Sequence, residues 1–182
     1  MVKARCRWCN LKNPVYVKYH DEEWSSPRFD DAYLFEMLLL ESFQAGLSWE
    51  CVLNKRENFR RAFDGFDVKK IAAYTEEKLS SLAEDKSIIR NRLKIRAAVT
   101  NAQIFIDIVQ EFGSFYNYLT SFSGNGTIIE NDKTSSPLSD AISLDLRRRG
   151  GKFLGTTVVY SYLQAVGIIN SHEDGCFLFP KY

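Results

Sequence analysis

The chain has 182 residues, 45% hydrophobic and 14% aromatic, enough apolar material for one large core or two small domains sharing one. Its 24 Lys and Arg against 23 Asp and Glu leave a net charge of +1, which excludes the global basic field that alone announces a nucleic-acid binder, so any such contact must be local. The longest apolar runs fall well short of the ~18 residues of a membrane span, and the start Met1-Val2-Lys3-Ala4-Arg5-Cys6 has no apolar signal core. A soluble cytoplasmic protein without membrane contact is expected.

In chain order, Asn13-Pro14 has the form of an N-cap followed by proline at the first helical position, which predicts a helix from Pro14 to about Trp24. That helix carries Tyr16, His20 and Trp24 as a stripe at every fourth position, with Tyr19 one place off it. After Ser25-Ser26-Pro27, Asp30 or Asp31 caps a second helix running to the break at Ala45-Gly46. Leu34, Met37 and Leu38 mark it as amphipathic, and Glu41 falls on the same apolar face. A carboxylate on an apolar face beside a chain break costs stability, which points to function. Ser48 opens a third helix, Trp49 to Phe63, with Val52, Phe59 and Phe63 inward and Lys55, Arg56, Arg60 and Arg61 outward.

Thr75-Glu76-Glu77-Lys78 starts a helix to about Asp85. Residues 85–91 read as a hairpin feeding a long helix from Arg92 to about Phe112, with Ile95, Val99, Ala102, Phe105, Val109 and Phe112 in period. A shorter helical piece holds Phe115, Tyr118, Leu119 and Phe122. Residues 123–137, rich in Gly, Ser, Asn and Thr, read as loop. Helices follow over 139–149, ended by Arg147-Arg148-Arg149-Gly150-Gly151, and from about Thr156 to Val166. No segment alternates with period two, so the expected fold class is all-α without internal repeats.

Three groups of residues carry chemistry. The four cysteines (Cys6, Cys9, Cys51, Cys176) are too few for a disulfide framework and imply a reducing compartment. Both histidines of the chain sit with cysteines: Cys6, Cys9 and His20 near one end, His172 and Cys176 near the other. Structural zinc takes four nitrogen or sulfur ligands, so five residues compete for four places, against the plainer reading of buried cysteines as small hydrophobes. Trp8, Trp24 and Trp49 gather with Tyr16, Tyr19 and Tyr33 in the same third of the chain as Glu41. Aromatic faces and one carboxylate suit a flat cationic base, against the plainer reading of core aromatics and a paired acid. Arg90, Arg92, Lys94 and Arg96 surround the start of the long helix, where unpaired amides and the helix dipole favour one phosphate. Arg147 to Arg149 with Lys152 form a second basic patch, although most charge runs are solvated helix faces.

Seven blocks join these groups: Tyr19-His20-Asp21-Glu22-Glu23-Trp24, Leu34-Phe35-Glu36 through Glu41, Gln44-Ala45-Gly46-Leu47-Ser48-Trp49, Lys55-Arg56-Glu57-Asn58-Phe59, Ile88-Ile89-Arg90-Asn91-Arg92, Lys152-Phe153-Leu154-Gly155-Thr156-Thr157 with Tyr160-Ser161, and the tail His172 to Cys176. In this order they resemble the DNA-3-methyladenine glycosylase I family, a zinc-containing branch of the helix-hairpin-helix glycosylases. Only the loop over 123–137 lies outside the resemblance.

The resemblance implies a helix-hairpin-helix glycosylase fold in a single unit over 1–182. Residues 1–30 and 150–182 would be joined by zinc, and 31–122 would supply pocket helices and hairpin. One structural zinc would be held by Cys6, His20, His172 and Cys176, leaving Cys9 free. Glu41 would be the catalytic carboxylate and bond the flipped base together with Tyr19. Trp49 would stack on it, and Trp8 and Tyr16 would complete the walls. Leu47, beside Gly46, would fill the gap in the duplex, and Ile89, Arg90, Arg92 and Lys94 would hold the DNA backbone. The implied activity is base-excision repair by a monomer acting on double-stranded alkylated DNA. It would release free 3-methyladenine and leave an abasic site, with no lyase step. The alternatives are a non-catalytic zinc-stapled module for alkylated or distorted DNA, and a glycosylase of shifted base specificity. Departures from the family pattern are Leu93 for a hairpin glycine, Ser25 for Gly, Ser171 for Asp, and Gly151 for an aromatic.

Overall fold

The computed structural model describes residues 3–180. In chain order its helices are α1 (Pro14–Glu22), α2 (Asp31–Gln44), α3 (Trp49–Leu53), α4 (Arg56–Ala62), α5 (Val68–Ala72), α6 (Glu76–Glu84), α7 (Arg92–Phe112), α8 (Phe115–Ser123), α9 (Pro137–Arg148) and α10 (Thr156–Ala165). A 3₁₀ turn covers Asp64–Phe66, and two short strands are β1 (Ile128–Ile129) and β2 (Ile169–Asn170).

Helix starts follow local side-chain chemistry. Asn13 accepts from the amides of Val15 and Tyr16, Asp30 from Tyr33, Ser48 from Cys51, Thr75 from Lys78, and Asn91 from Leu93 and Lys94. Each satisfies donors that the first helical turn leaves without partners.

The structure departs from the amphipathic expectation for α2. All ten residues from Leu34 to Phe43 are buried, because α3, α7, α8 and α10 all pack against this helix. An axial helix has no solvent face. Glu41 is therefore enclosed by the fold rather than set on the edge of an apolar stripe.

The predicted helix from Trp49 to Phe63 is two helices, broken at Asn54-Lys55. The break resets the helical phase and turns Arg56 inward rather than outward. Its Nε donates to Glu36 Oε1 at 2.6 Å and its Nη1 to Glu23 Oε2 at 2.7 Å, so one buried cation ties α4 to α2 and to the end of α1.

Residues 123–137 are more than loop. Within them β1 pairs in parallel with β2, Ile128 facing Ile169 and Ile129 facing Asn170. The fold is thus mostly helical with one small sheet, and strands of two residues are too short to show an alternation in sequence. The pair fastens this stretch to the segment that carries His172.

Buried hydrophobic residues form one cluster reaching from Cys6 to Cys176, with Phe105 and Phe115 stacked at 4.2 Å where α7 and α8 turn past α2. After α9 the backbone returns so closely that a Cβ on Gly151 would lie 2.7 Å from Leu146 O. The aromatic expected there has no room in this backbone. No described helix is long and apolar enough to cross a membrane.

Candidate active site

The last turn of α2, the segment before α1, α1 itself and the start of α3 enclose a cavity of about 300 Å³. Trp8, Tyr16, Tyr19, Trp24, Glu41 and Trp49 line it, so the structure brings together all five residues expected at the base pocket. Tyr19 and Trp49 lie with ring centroids 5.3 Å apart, and Trp8 lies 5.4 Å from Tyr16 and 4.6 Å from Trp24. The N-terminal side is clasped to α3 by Glu50, whose Oε1 accepts from Asn10 Nδ2 at 2.8 Å and Asn13 Nδ2 at 2.7 Å.

Glu41 is 3% exposed, and its buried Oε2 has no hydrogen-bond partner. Burial alone pushes its carboxyl up from 4.5 to about 8. The indole Nε1 of Trp49 is likewise buried without an acceptor. An unused acceptor and an unused donor thus belong to the walls of one aromatic cavity, and unpaired buried polar groups cost enough to need a ligand or a reason. Burial also raises Tyr16 to about 12 and Tyr19 well above its ordinary value, Tyr19 aided by the nearby Glu41. Both phenols are neutral at pH 7.

The rest of the cavity lining is polar and was not legible as a site in the sequence. Gln44 stands three residues after Glu41 on the same helix, and Ser161 and Gln164 lie three apart on α10. Those spacings were the available signal. Asn131, Asp132, Ser171 and Glu173 reach the cavity because β1 and β2 pair, and nothing local announces that. Gln164 Nε2 donates to Ser171 Oγ at 2.7 Å, so the serine found in place of the expected aspartate is part of the cavity wall.

Behind Trp8 and Trp24 the ligating atoms of Cys6, His20, His172 and Cys176 lie within 4.8 Å of one another, all four residues buried. Cys9 is not among them; its Sγ sits 4.0 Å from Tyr16 O. The set suits a metal ion by its chemistry, since two sulfurs and two imidazole nitrogens meet out of water. His20 presents Nε2 to Cys176 Sγ at 3.6 Å, while its Nδ1 lies 2.8 Å from Asp21 Oδ1. Arg5 grips Asp21 through two bonds of 2.8 and 2.7 Å and, as the leading cause, holds its carboxyl down at about 2. A carboxylate on the far ring nitrogen orients such a ligand. Here it belongs to His20, not to His172. Burial lowers His172 to about 4, leaving a neutral imidazole, and raises the Cys6 thiol to about 12, a cost that a bound cation would offset. Trp24 touches both regions, its ring 4.7 Å from that of His172.

The remaining predicted residues lie outside the cavity. Gly46 has φ +80, a left-handed conformation that glycine adopts without strain, and it throws Leu47 out to 41% exposure directly after α2. In the hairpin Arg90 and Arg92 are exposed and Ile89 is half-buried. Asn91 Oδ1 takes the amides of Leu93 and Lys94, each at 3.1 Å, and Leu93 is 71% exposed. Lys94 departs from its expected place on a DNA-facing surface. It is 5% exposed, and its Nζ donates to Phe43 O at 2.9 Å and to Ala45 O. Those carbonyls end α2, where the helix has no amides left to offer them and where a cation is favoured.

The model of the Methyladenine glycosylase family matches residues 8–179. DNA-3-methyladenine glycosylase 1 of Escherichia coli (strain K12) is 43% identical over 97% of each chain. A crystal structure of a 3-methyladenine DNA glycosylase I superposes with a TM-score of 0.93 at 44% identity, covering 97% of this chain and 100% of that one. Another, a variant of 3-methyladenine DNA glycosylase I in complex with 3-methyladenine, has a TM-score of 0.92 at 34% identity and 98% coverage of each chain. With a family match over nearly its whole length, and relatives of this identity at near-complete coverage, this chain belongs to the methyladenine glycosylase family.

Proposed function

We propose that this protein is a base-excision repair enzyme that hydrolyses the N-glycosidic bond of 3-methyladenine in alkylated DNA. The products are the free base and an abasic site. The observation that carries the reading is Glu41, a buried carboxyl without a partner on Oε2 in an aromatic cavity. Its missing partner is a cation that arrives with the substrate.

Adenine methylated at N3 is positively charged, so its bond to the sugar is already weakened. Trp49 stacks on the flat base and Tyr19 bonds it together with Glu41, with Tyr16 and Trp8 closing the pocket. The carboxylate of Glu41 accepts a charge-assisted hydrogen bond from the base and selects the cation over neutral adenine. As the N9–C1′ bond breaks, its electron pair leaves with the base and cancels the base's charge. Positive charge then builds on the sugar, which a carboxylate in low dielectric stabilises. Water oxygen bonds C1′ and gives up one proton. A carboxyl that titrates near 8 is matched to receive it at neutral pH, once the neutral base no longer holds it ionised. No lysine lines the cavity among the described residues, so no Schiff base with the sugar is expected and the enzyme is monofunctional.

The DNA is held outside the cavity. In this reading α6, the turn over 85–91 and α7 form the helix-hairpin-helix unit, Arg90 and Arg92 face phosphates beside Ile89, and Leu47 on Gly46 enters the gap left by the flipped base. Cys6, His20, His172 and Cys176 would hold one zinc. A closed set of four protein ligands leaves no position for substrate, so the ion's contribution is to fasten the chain termini behind the pocket. The protein acts as a single unit and a monomer.

The test is release of free base from methylated duplex DNA. Wild-type protein should release 3-methyladenine, and Glu41→Gln should lower the single-turnover rate by roughly 100-fold or more with the circular dichroism spectrum unchanged. Full activity in that variant refutes the role of Glu41. Tight binding of methylated DNA by the wild type without released base would make the protein a reader of damage, and release of 7-methylguanine instead would move its specificity.

A further inference from the structure

Two segments that meet DNA in the proposed function are joined by one side chain. Lys94 lies in the first turn of α7, and its ammonium reaches Phe43 O and Ala45 O, 51 and 49 residues earlier in the chain. Nothing in the local sequence requires this. A helix N-terminus repels a cation, and exposure would let the side chain stay hydrated as Arg90 and Arg92 are. Lys94 is nonetheless drawn inward, where it takes the two carbonyls flanking Gln44, while Gln44 O itself accepts from Leu47 N at 2.6 Å. Every carbonyl from Phe43 to Ala45 is therefore committed, two of them to α7. A third segment is held at the same point, since the ring of Phe153 lies 5.8 Å from the ammonium and Asn101 of α7 exchanges two bonds of 3.0 Å with the backbone of Lys152.

We propose that Lys94 is a positioning residue for excision: it locks the Gly46-Leu47 turn to the start of α7, so that a duplex held at the hairpin meets Leu47 in fixed register. The inference rests on the proposed function and goes beyond it, because Lys94 then acts through Leu47 and never touches phosphate. A buried ammonium with two carbonyl partners has fewer rotamers than a surface lysine, which is what a fixed spacing needs.

Lys94→Met keeps the stem and removes the donors. Its single-turnover release of base from methylated duplex should fall at least ~10-fold, a loss of transition-state stabilisation rather than of binding. Duplex affinity should stay within about twofold, with an unchanged slope against salt concentration, and the affinity for free 3-methyladenine, followed by tryptophan fluorescence, should not change. The losses from Lys94→Met and Leu47→Ala should be less than additive in the double variant. An unchanged rate overturns the proposal. So does a duplex affinity that weakens with a salt slope shallower by about one, which would mark a phosphate contact. A parallel fall in free-base affinity also overturns it, as the mark of general loosening. Should Lys94→Met not fold, Lys94→Gln, which retains a donor for one carbonyl, carries the same measurements. Wild-type protein run alongside separates the two claims: if it releases no base, the proposed function fails, whereas an active wild type with an equally active variant fails Lys94 alone.

Discussion

At the residue scale, Glu41 is where folding and function pull apart. Its folded-state carboxyl titrates at about 8 against 4.5 when exposed, with burial as the cause. The protonated form is therefore favoured by the fold. That stabilising contribution is complete below about pH 4.5 and is lost as pH rises through 8, when folding must bury a charge. Glu41→Gln has the same shape and cannot ionise. It should match the wild type in stability near pH 5 and exceed it by a few kcal/mol at about pH 8.5, read from urea midpoints at the two pH values. Parallel stability profiles for the two proteins would mean that Glu41 is ionised and paired in the free protein. A gain in stability together with a loss of turnover is the expected signature of a residue kept for chemistry. The acid's position was visible as a carboxylate in an apolar register, whereas its isolation from every donor depends on helices far away in the chain.

At the element scale, helix starts could be read from the sequence because capping is local. Asn13-Pro14, Asp30, Ser48, Thr75 and Asn91 all cap as their residue types suggest. The break between α3 and α4 was not legible, since Asn54-Lys55 carries no glycine or proline, and with it the burial of Arg56 was missed. The interior of the fold decides that break: it turns Arg56 onto both Glu36 and Glu23, of which Glu36 also holds Arg60. Arg56→Met takes the cation from Glu23, leaves Glu36 with the more exposed Arg60 alone, and should cost roughly 3 kcal/mol in urea unfolding. A loss under about 1 kcal/mol would place the pair in water. The same long-range logic applies to α2, read as amphipathic and found axial, and to Lys94, read as surface charge and found as a tie between α2 and α7.

At the scale of the whole molecule, the Cys and His cluster joins residues 166 apart in the chain, as with Cys6 Sγ and His172 Nδ1 at 3.5 Å. With zinc in place, elemental analysis of metal-replete protein should find about one ion per chain. Cys9→Ser should keep it, while His172→Ala should lose it and lower the melting temperature by several degrees. The opposite pattern in the two variants would make Cys6 and Cys9 the N-terminal ligand pair. Because Trp24 lies against His172 and also lines the cavity, loss of the ion should weaken base binding as well as the fold. By itself the sequence determined the helical class, most helix starts, the gathering of aromatics with Glu41 in the first third of the chain, and the sorting of cysteines and histidines to the two ends. All of these follow from residue type and short spacing. Spacing left Cys6 and Cys9 as competing ligands, the family resemblance pointed to Cys6, and the structure puts Cys6 in the cluster. Only the tertiary structure decided that the stretch over 123–137 pairs with the C-terminal segment and supplies part of the polar lining, and that Lys94 faces inward. Those outcomes turn on which distant carbonyls, carboxylates and ring nitrogens lack partners, a question no local spacing can answer.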